Sequence, residues 1–251
     1  MPRRNLRLLA ADHLVEAGLS EVRSQMEIPE RFPEAVEAEI RGLEPRLPDR
    51  DMTEIPFVTI DPRGSRDLDQ ALAIEQRRGG YRSRYAIADV AAFVQPGSAV
   101  DEEAWERGQT LYGPDRRTPL YPSQISEGGA SLLPDVDRPA QVWEIDLDRD
   151  GDVVGGHVAR AMVRSRAQLS YEEAQEQIDQ ATGSETLRLL AEVGRLREMQ
   201  EVSQDAVTLD TPEQQIVARH GGWALRYRAP LPRAGWNAPI STLTDSFAAG
   251  P

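Results

Sequence analysis

A proline-rich connector at residues 44–56 divides the chain into two parts with different residue patterns. Proline lacks a backbone N–H and cannot continue a helix, so this segment is predicted to end the helical part of the chain. Before it, apolar residues recur at helical spacing over residues 10–24 and 32–43. We therefore expect a helical segment over residues 1–50 and a separate domain over residues 51–251.

Beyond the connector, apolar residues recur with the period of two that is typical of strands. Alternation predicts strands over residues 81–89 and 141–148, and a short β-prone apolar run predicts one over residues 57–60. The remaining predicted strands cover residues 152–163, 214–219 and 223–228. In the strand over residues 141–148, Trp143, Ile145 and Leu147 share one face, with acidic residues opposite. This strand is expected to pair across a turn with the strand over residues 152–163, and the strands over 214–219 and 223–228 are expected to form a hairpin.

Helices are predicted at residues 101–108 and 184–206, and a further helix is predicted to begin at Ser170, which forms a capping-box pattern with Glu173. Strands and helices interleave without the regular spacing of βαβ units. The expected fold class is therefore α+β, with a mixed or antiparallel sheet and helices.

The chain has a net charge of −13, and all 29 of its cationic side chains are arginines. Such a chain binds nucleic acid poorly unless arginines line a channel while acidic residues cover the remaining surface. The absence of cysteine excludes disulfides and thiolate zinc sites. No apolar run approaches the roughly 20 residues that span a bilayer, and the N-terminus lacks the apolar core of a signal peptide. A cytoplasmic protein without a membrane span is expected, and its oligomeric state is not predicted.

Three aspartates in one short segment are the most informative feature of the sequence. Asp61 ends a predicted strand, a loop containing proline and glycine follows, and Asp67 and Asp69 stand two residues apart. In extended backbone, residues two apart face the same way, so the three carboxylates can converge. Clustered carboxylates suit Mg²⁺ or Mn²⁺, which can activate water for phosphodiester cleavage. On spacing alone, a solvated acidic loop is the alternative.

The residues around this segment resemble the catalytic domain of the ribonuclease II and ribonuclease R family, over roughly residues 57–166. The matching patches, in family order and spacing, are Asp61 to Asp69, Tyr85-Ala86-Ile87-Ala88-Asp89-Val90, Pro96-Gly97-Ser98, Arg107-Gly108 with Thr110-Leu111-Tyr112, Pro114-Asp115-Arg116, Pro119 with Pro122, and Ser131-Leu132-Leu133-Pro134 with Arg138-Pro139.

This resemblance implies a 3′-to-5′ exoribonuclease that hydrolyses single-stranded RNA to nucleoside monophosphates with Mg²⁺. It places Asp61, Asp67 and Asp69 on active-site aspartates. It also places Tyr112 on an aromatic residue that stacks against a base, which is a sequence-tolerant contact. Two neighbouring arginines, Arg116 and Arg117, are candidate RNA-binding residues.

The sequence departs from the family pattern at Gln70, where the family has a fourth aspartate. An amide oxygen can still bind a hard cation, but without charge, so Gln70 is expected to be a weaker ligand. The later half of the family's domain is not matched, so an incomplete RNB-type domain is expected, and the chain alone is expected to be a weak or inactive nuclease. A non-catalytic RNA-binding relative, a fragment of a longer ribonuclease, and an acidic metal-binding or interaction module are the alternatives.

Other motifs are given structural interpretations. Residues 146–151 imitate the start of a calcium-binding EF-hand loop, but a hairpin turn at Asp150-Gly151 is the preferred interpretation. The histidines His13, His157 and His220 are expected on the surface or in loops. The tryptophans Trp105, Trp143 and Trp223 are expected at amphipathic or core positions.

Overall fold

The computed structural model describes residues 7–8, 12–203, 213–219 and 222–228. Its α-helices are α1 (Asp12–Gln25), α2 (Glu34–Arg41), α3 (Ala99–Arg107), α4 (Tyr171–Asp179) and α5 (Glu185–Ser203). Its strands are β1 (Arg7–Leu8), β2 (Phe57–Asp61), β3 (Gln70–Arg77), β4 (Gly80–Ala88), β5 (Leu111–Tyr112), β6 (Arg117–Thr118), β7 (Asp137–Asp148), β8 (Val153–Ser170), β9 (Glu213–Arg219) and β10 (Gly222–Arg228). A 3₁₀ turn covers Val90–Ala92, and a π-helical turn covers Gln124–Gly129.

The chain divides into two compact units, each built from separate stretches of sequence. The first unit comprises residues 1–42, 96–122 and 209–230. It contains the antiparallel sheet β1-β10-β9 and the two-stranded ribbon β5-β6. Helices α2 and α3 pack against each other there, and the Arg107 guanidinium lies 3.9 Å from the centre of the Phe32 ring.

The second unit comprises residues 43–95, 123–208 and 231–251 and contains a closed barrel of β2, β3, β4, β7 and β8. Strands β2 and β8 are parallel, and every other neighbouring pair in the barrel is antiparallel. The register of β4 runs from Gly80 opposite Asp148 to Ala88 opposite Ala140. The barrel therefore has one end at the turns that follow β3 and β7, and another where β2 ends and β3 begins.

Alternate residues of the barrel strands feed two separate apolar clusters, as the two-residue period of a strand requires. The first, here called the helix-side cluster, combines Leu72 and Ile74 of β3 with buried residues of α5. The second, the loop-side cluster, combines Ala71 and Ala73 of β3 with Leu68 and other residues outside the strands. Each cluster packs on one face of the same strands, so apolar packing stabilises both faces of the barrel sheet.

The structure confirms the predicted fold class of α-helices combined with a largely antiparallel sheet. The capping box is confirmed, because the Ser170 side chain accepts from the Glu173 backbone while the Glu173 carboxylate accepts from the Ser170 backbone. The turn at Asp150-Gly151 is also confirmed: strands flank it, and Gly151 has a φ of +87°. The face shared by Trp143, Ile145 and Leu147 packs in the helix-side cluster.

Four expectations need correction. Strand β3 was not predicted, and β8 continues to Ser170 instead of ending near residue 163. Residues 7 and 8, within the segment expected to be helical, form a strand that pairs with β10. Trp105 is 82% exposed on α3 and occupies no core position.

Some predicted positions lie outside the described residues: 10–11, 204–206 and 220. The same holds for the side chains of His13 and Trp223. Among the described helices, none is both long and apolar enough to cross a membrane.

Candidate active site

The three predicted aspartates lie on one loop at an end of the barrel. Asp61 is the last residue of β2, and β3 begins at Gln70, directly after Asp69. The connecting loop turns at Gly64, whose φ of +87° lies in the left-handed region that favours glycine. The sequence therefore predicted the strand end and the turn correctly.

Leu68 anchors the part of the loop that carries Asp67 and Asp69. Its side chain is fully buried in the loop-side cluster. Asp67 beside it is half-buried and Asp69 is exposed, so both aspartates are accessible to solvent while Leu68 is not. The Ala88 N–H donates to the Asp69 carbonyl over 2.8 Å, and the Leu132 N–H donates to the Leu68 carbonyl over 2.8 Å. The backbone carrying the aspartates is thus fixed to both β4 and the segment before β7.

The carboxylates influence one another electrostatically. The pKa of Asp61 is raised to about 6, first by burial and then by the negative charges of Asp69 and Asp67. The pKa of Asp69 is also raised, by desolvation and by Asp67. Asp69 is nevertheless exposed to solvent. Desolvation can still raise its pKa, because protein atoms can crowd a carboxylate on most sides and leave it open on one. The Thr59 hydroxyl opposes the shift at Asp61, although its geometry falls short of a full hydrogen bond.

These properties fit a cation-binding site in chemistry. The Oδ2 atom of Asp61 is buried and has no hydrogen-bond partner among the described residues. Buried carboxylate oxygens without partners are costly, and a hard cation would relieve both that cost and the mutual repulsion. As they stand, no three acidic or histidine side chains in the described part of the chain already form a metal-binding group. A coordination sphere shared by Asp61, Asp67 and Asp69 therefore stays a prediction.

Gln70 faces away from the aspartate loop. It is the first residue of β3 and lies on the side of the strand that bears Leu72 and Ile74, facing the helix-side cluster. The Tyr85 hydroxyl donates a hydrogen bond to its Oε1 atom. The amide oxygen that was expected to serve as a fourth ligand thus has a partner within the protein, and binding a cation would require that bond to be shared or released.

The predicted RNA-binding residues belong to the other compact unit. Tyr112 of β5 pairs with Arg117 of β6, and the Tyr112 side chain is 76% exposed. The Arg116 Nη2 atom lies 2.5 Å from Glu30 Oε1 in an exposed ion pair. Arg116, like Tyr112, is exposed, and Arg117 is half-buried.

Two arginines on the aspartate loop were not singled out from the sequence. Arg63 and Arg66 have side chains that are 77% and 74% exposed. Each makes a surface ion pair, Arg63 with Glu173 at 2.8 Å and Arg66 with Glu127 at 3.3 Å. Their position between Asp61 and Asp67 in the sequence was the available signal.

Comparisons with known proteins agree with the resemblance seen in the sequence. The RNB domain family matches residues 49–225. Ribonuclease R of Escherichia coli (strain K12) is 38% identical over 152 residues, which cover 58% of this chain and 19% of that protein. Ribonuclease R of Aquifex aeolicus (strain VF5) is 31% identical over 210 residues, covering 78% of this chain and 30% of that protein. The chain thus spans less than a third of the length of these two relatives.

Solved structures with low sequence identity share the fold. Mycoplasma genitalium RNase R in complex with double-stranded RNA matches with a TM-score of 0.85 at 22% identity, over 92% of this chain and 44% of that one. Yeast Ssd1, described as a pseudonuclease, matches with a TM-score of 0.55 at 21% identity, over 64% of this chain and 21% of that one. Since the RNB match extends over more than half of the sequence, this chain belongs to the RNB domain family.

Proposed function

We propose that this chain carries the aspartate-bearing part of a 3′-to-5′ exoribonuclease that hydrolyses single-stranded RNA to nucleoside monophosphates. The observation that carries the proposal is the loop of Asp61, Asp67 and Asp69 in a member of the RNB family. Its carboxylates repel one another, and one buried oxygen has no hydrogen-bond partner among the described residues. Such a site gains stability from a bound cation, which is the property a metal-dependent nuclease needs.

In this proposal Asp61, Asp67 and Asp69 hold Mg²⁺, or Mn²⁺ in its place. The bound ion supplies a Lewis acid that lowers the pKa of water and neutralises charge on the phosphate. The protein fixes the carboxylates through the buried Leu68 and excludes water from the Asp61 Oδ2 atom.

RNA is held in this proposal by cations and aromatic groups on exposed surfaces. Arg63 and Arg66 contact phosphates beside the aspartates, since their surface ion pairs are weak enough to be exchanged, at about 0–1 kcal/mol each. Tyr112 stacks on a base, with Arg116 and Arg117 close to it in sequence. Stacking and phosphate contacts are independent of base identity, which suits degradation of any sequence.

The proposal is tested by measuring the release of nucleoside monophosphates from single-stranded RNA with Mg²⁺ or Mn²⁺. The parent chain is compared with Asp61→Asn, Asp67→Asn and Asp69→Asn, and with Asp49→Asn as an exposed control aspartate outside the loop. The three loop variants should lose release by at least about 100-fold, as expected for lost transition-state stabilisation, and chelation should abolish it. Release that is unchanged in all three variants would refute the assignment.

A non-catalytic RNA-binding member of the family is the second candidate. The observation that favours it is Gln70, which replaces an expected aspartate and is bonded to Tyr85. In that case the chain would bind single-stranded RNA but would release no mononucleotides with either Mg²⁺ or Mn²⁺. The same assay, combined with an RNA-binding measurement, separates the two candidates.

A further inference from the structure

We propose that Ser131 is a positioning residue, which sets the direction of the Asp67 carboxylate and thereby the geometry of the aspartate loop. The inference rests on the proposed function, because it assigns a role to Ser131 at the same site. Ser131 belongs to the Ser131-Leu132-Leu133-Pro134 patch, to which the proposed function gives no task.

The Ser131 hydroxyl makes two hydrogen bonds to the aspartate loop. Its Oγ donates to the Arg66 carbonyl over 2.7 Å and accepts from the Leu68 N–H over 3.0 Å. These two backbone groups belong to the peptide units on either side of the Asp67 Cα. Since φ and ψ of a residue describe the rotation of those two peptide planes, one hydroxyl constrains both dihedral angles of Asp67. The direction of its Cα–Cβ bond is fixed as a consequence.

The Ser131 hydroxyl bonds backbone groups that belong to no helix or strand ladder. Residues 62–69 lie outside helices and strands, so the Arg66 carbonyl and the Leu68 N–H have no place in a strand ladder. Ser131 is 1% exposed, so water does not substitute easily for its hydroxyl. Without it, the buried Leu68 N–H and the partly buried Arg66 carbonyl would both lose this partner, which is costly for a buried group.

Ser131 is itself held firmly in place. The next residue, Leu132, is buried beside Leu68 in the loop-side cluster and donates its N–H to the Leu68 carbonyl. The Arg138 Nε–H donates to the Ser131 carbonyl over 3.1 Å. The fixed segment around Ser131 therefore holds the Asp67-Leu68-Asp69 backbone in one conformation.

A buried serine can also be merely a packed side chain, and the chain provides a matched control. Ser83 of β4 is likewise 1% exposed and lies in the same compact unit. Its hydroxyl has no hydrogen-bond partner among the described residues and faces the helix-side cluster. Ser83→Ala thus deletes the same atom at the same depth, without touching the aspartate loop.

The experiment uses the full chain and two readouts. The first is Mn²⁺ affinity, measured from the electron paramagnetic resonance signal of free Mn²⁺. Removal of residues that orient metal ligands typically weakens metal binding about 10–100-fold, so Ser131→Ala should weaken Mn²⁺ binding by about 10-fold. Ser83→Ala should bind as the parent does. Equal affinity of Ser131→Ala and the parent would overturn the inference.

The second readout is hydrogen exchange without metal, followed at the Leu68 amide. In the parent this amide should be protected although it lies in a loop, and Ser131→Ala should remove that protection while Ser83→Ala retains it. An unprotected Leu68 amide in the parent would contradict the inference even if Ser131→Ala failed to fold. If the parent binds no Mn²⁺, the proposed function fails, and the exchange measurement still decides whether Ser131 fixes the loop.

Discussion

At the residue scale, Asp61 combines a charge with an environment that disfavours it. Burial and the neighbouring aspartates raise its pKa to about 6, and its Oδ2 atom is unpartnered among the described residues. A group whose folded pKa lies above its unfolded pKa stabilises the fold below the unfolded pKa. That stabilisation is lost as pH rises through the folded pKa. In the absence of metal, the ionised Asp61 therefore destabilises the protein at neutral pH.

This argument predicts that Asp61→Asn stabilises the metal-free protein above the folded pKa and leaves its stability nearly unchanged near the unfolded pKa. Because the pKa of Asp61 is raised to about 6 and solvent screens part of its charge, the gain should be on the order of 1–3 kcal/mol at about pH 8. At about pH 4 the variant and the parent should be nearly equal. Urea unfolding with a chelator present measures both values. A variant that is less stable than the parent at the higher pH would contradict the predicted burial of a charge.

Tyr112 carries a second prediction at this scale. Its ring is exposed, so removing it costs little packing, and lost stacking is worth about 1–3 kcal/mol per base. Tyr112→Ala should weaken binding of short RNA oligonucleotides more than of long ones, because distant contacts remain on long RNA. Fluorescence anisotropy with both lengths measures this. Trp105→Ala, at another large exposed aromatic residue of the same unit, is the control and should change neither affinity.

The sequence correctly predicted that Asp61 ends a strand and that a short loop joins it to Asp67 and Asp69, because all three lie within nine residues of one another. It could not identify Ser131, whose partners Arg66 and Leu68 are more than sixty residues away. It also could not show that Gln70 and Asp69 face opposite sides, since this depends on where β3 begins. Contacts between distant segments determine both features.

At the element scale, β3 shows why a strand adjacent to the site was missed. Its sequence, Gln-Ala-Leu-Ala-Ile-Glu-Gln-Arg, contains mostly good helix formers and has no clear alternation. It is a strand because it pairs with β4 along its whole length, from Gln70 opposite Ile87 to Arg77 opposite Gly80. The tight turn between them uses Gly79 at a φ of +103°. Tertiary pairing overrides local propensity in such a case.

The aspartate loop is an element whose stability depends on one apolar anchor. Leu68 is fully buried, and replacing such a leucine with alanine typically costs about 2–5 kcal/mol. Leu68→Ala should destabilise the protein by that amount and also weaken Mn²⁺ binding, because Asp67 and Asp69 lose their fixed direction. Leu47→Ala makes the same deletion at a side chain that is 53% exposed and should leave both quantities unchanged. Urea unfolding and Mn²⁺ titration of the two variants test this. Normal Mn²⁺ binding by a destabilised Leu68→Ala would show that the packing of Leu68 is not needed for metal binding.

At the scale of the whole molecule, the net charge of −13 opposes RNA binding at long range. Under the proposed function, RNA binding must then depend on local cations. Arg63 and Arg66 place such cations on the aspartate loop, and both side chains are largely exposed, at 77% and 74%. With most of its surface acidic, such a protein would bind RNA phosphates at the arginines of this loop and not across its whole surface.

The salt dependence of RNA binding tests this placement. For single strands, each phosphate contact contributes about −0.7 to the slope of log K against log salt. The double variant Arg63→Ala/Arg66→Ala should therefore lower the magnitude of the slope by about 1.4, in addition to weakening affinity. The matched control is Arg78→Ala/Arg149→Ala, which removes two exposed arginines from the turns at the opposite end of the barrel strands and changes the net charge equally. If both double variants reduce the slope alike, RNA responds to overall charge, and the aspartate loop is not where its phosphates lie.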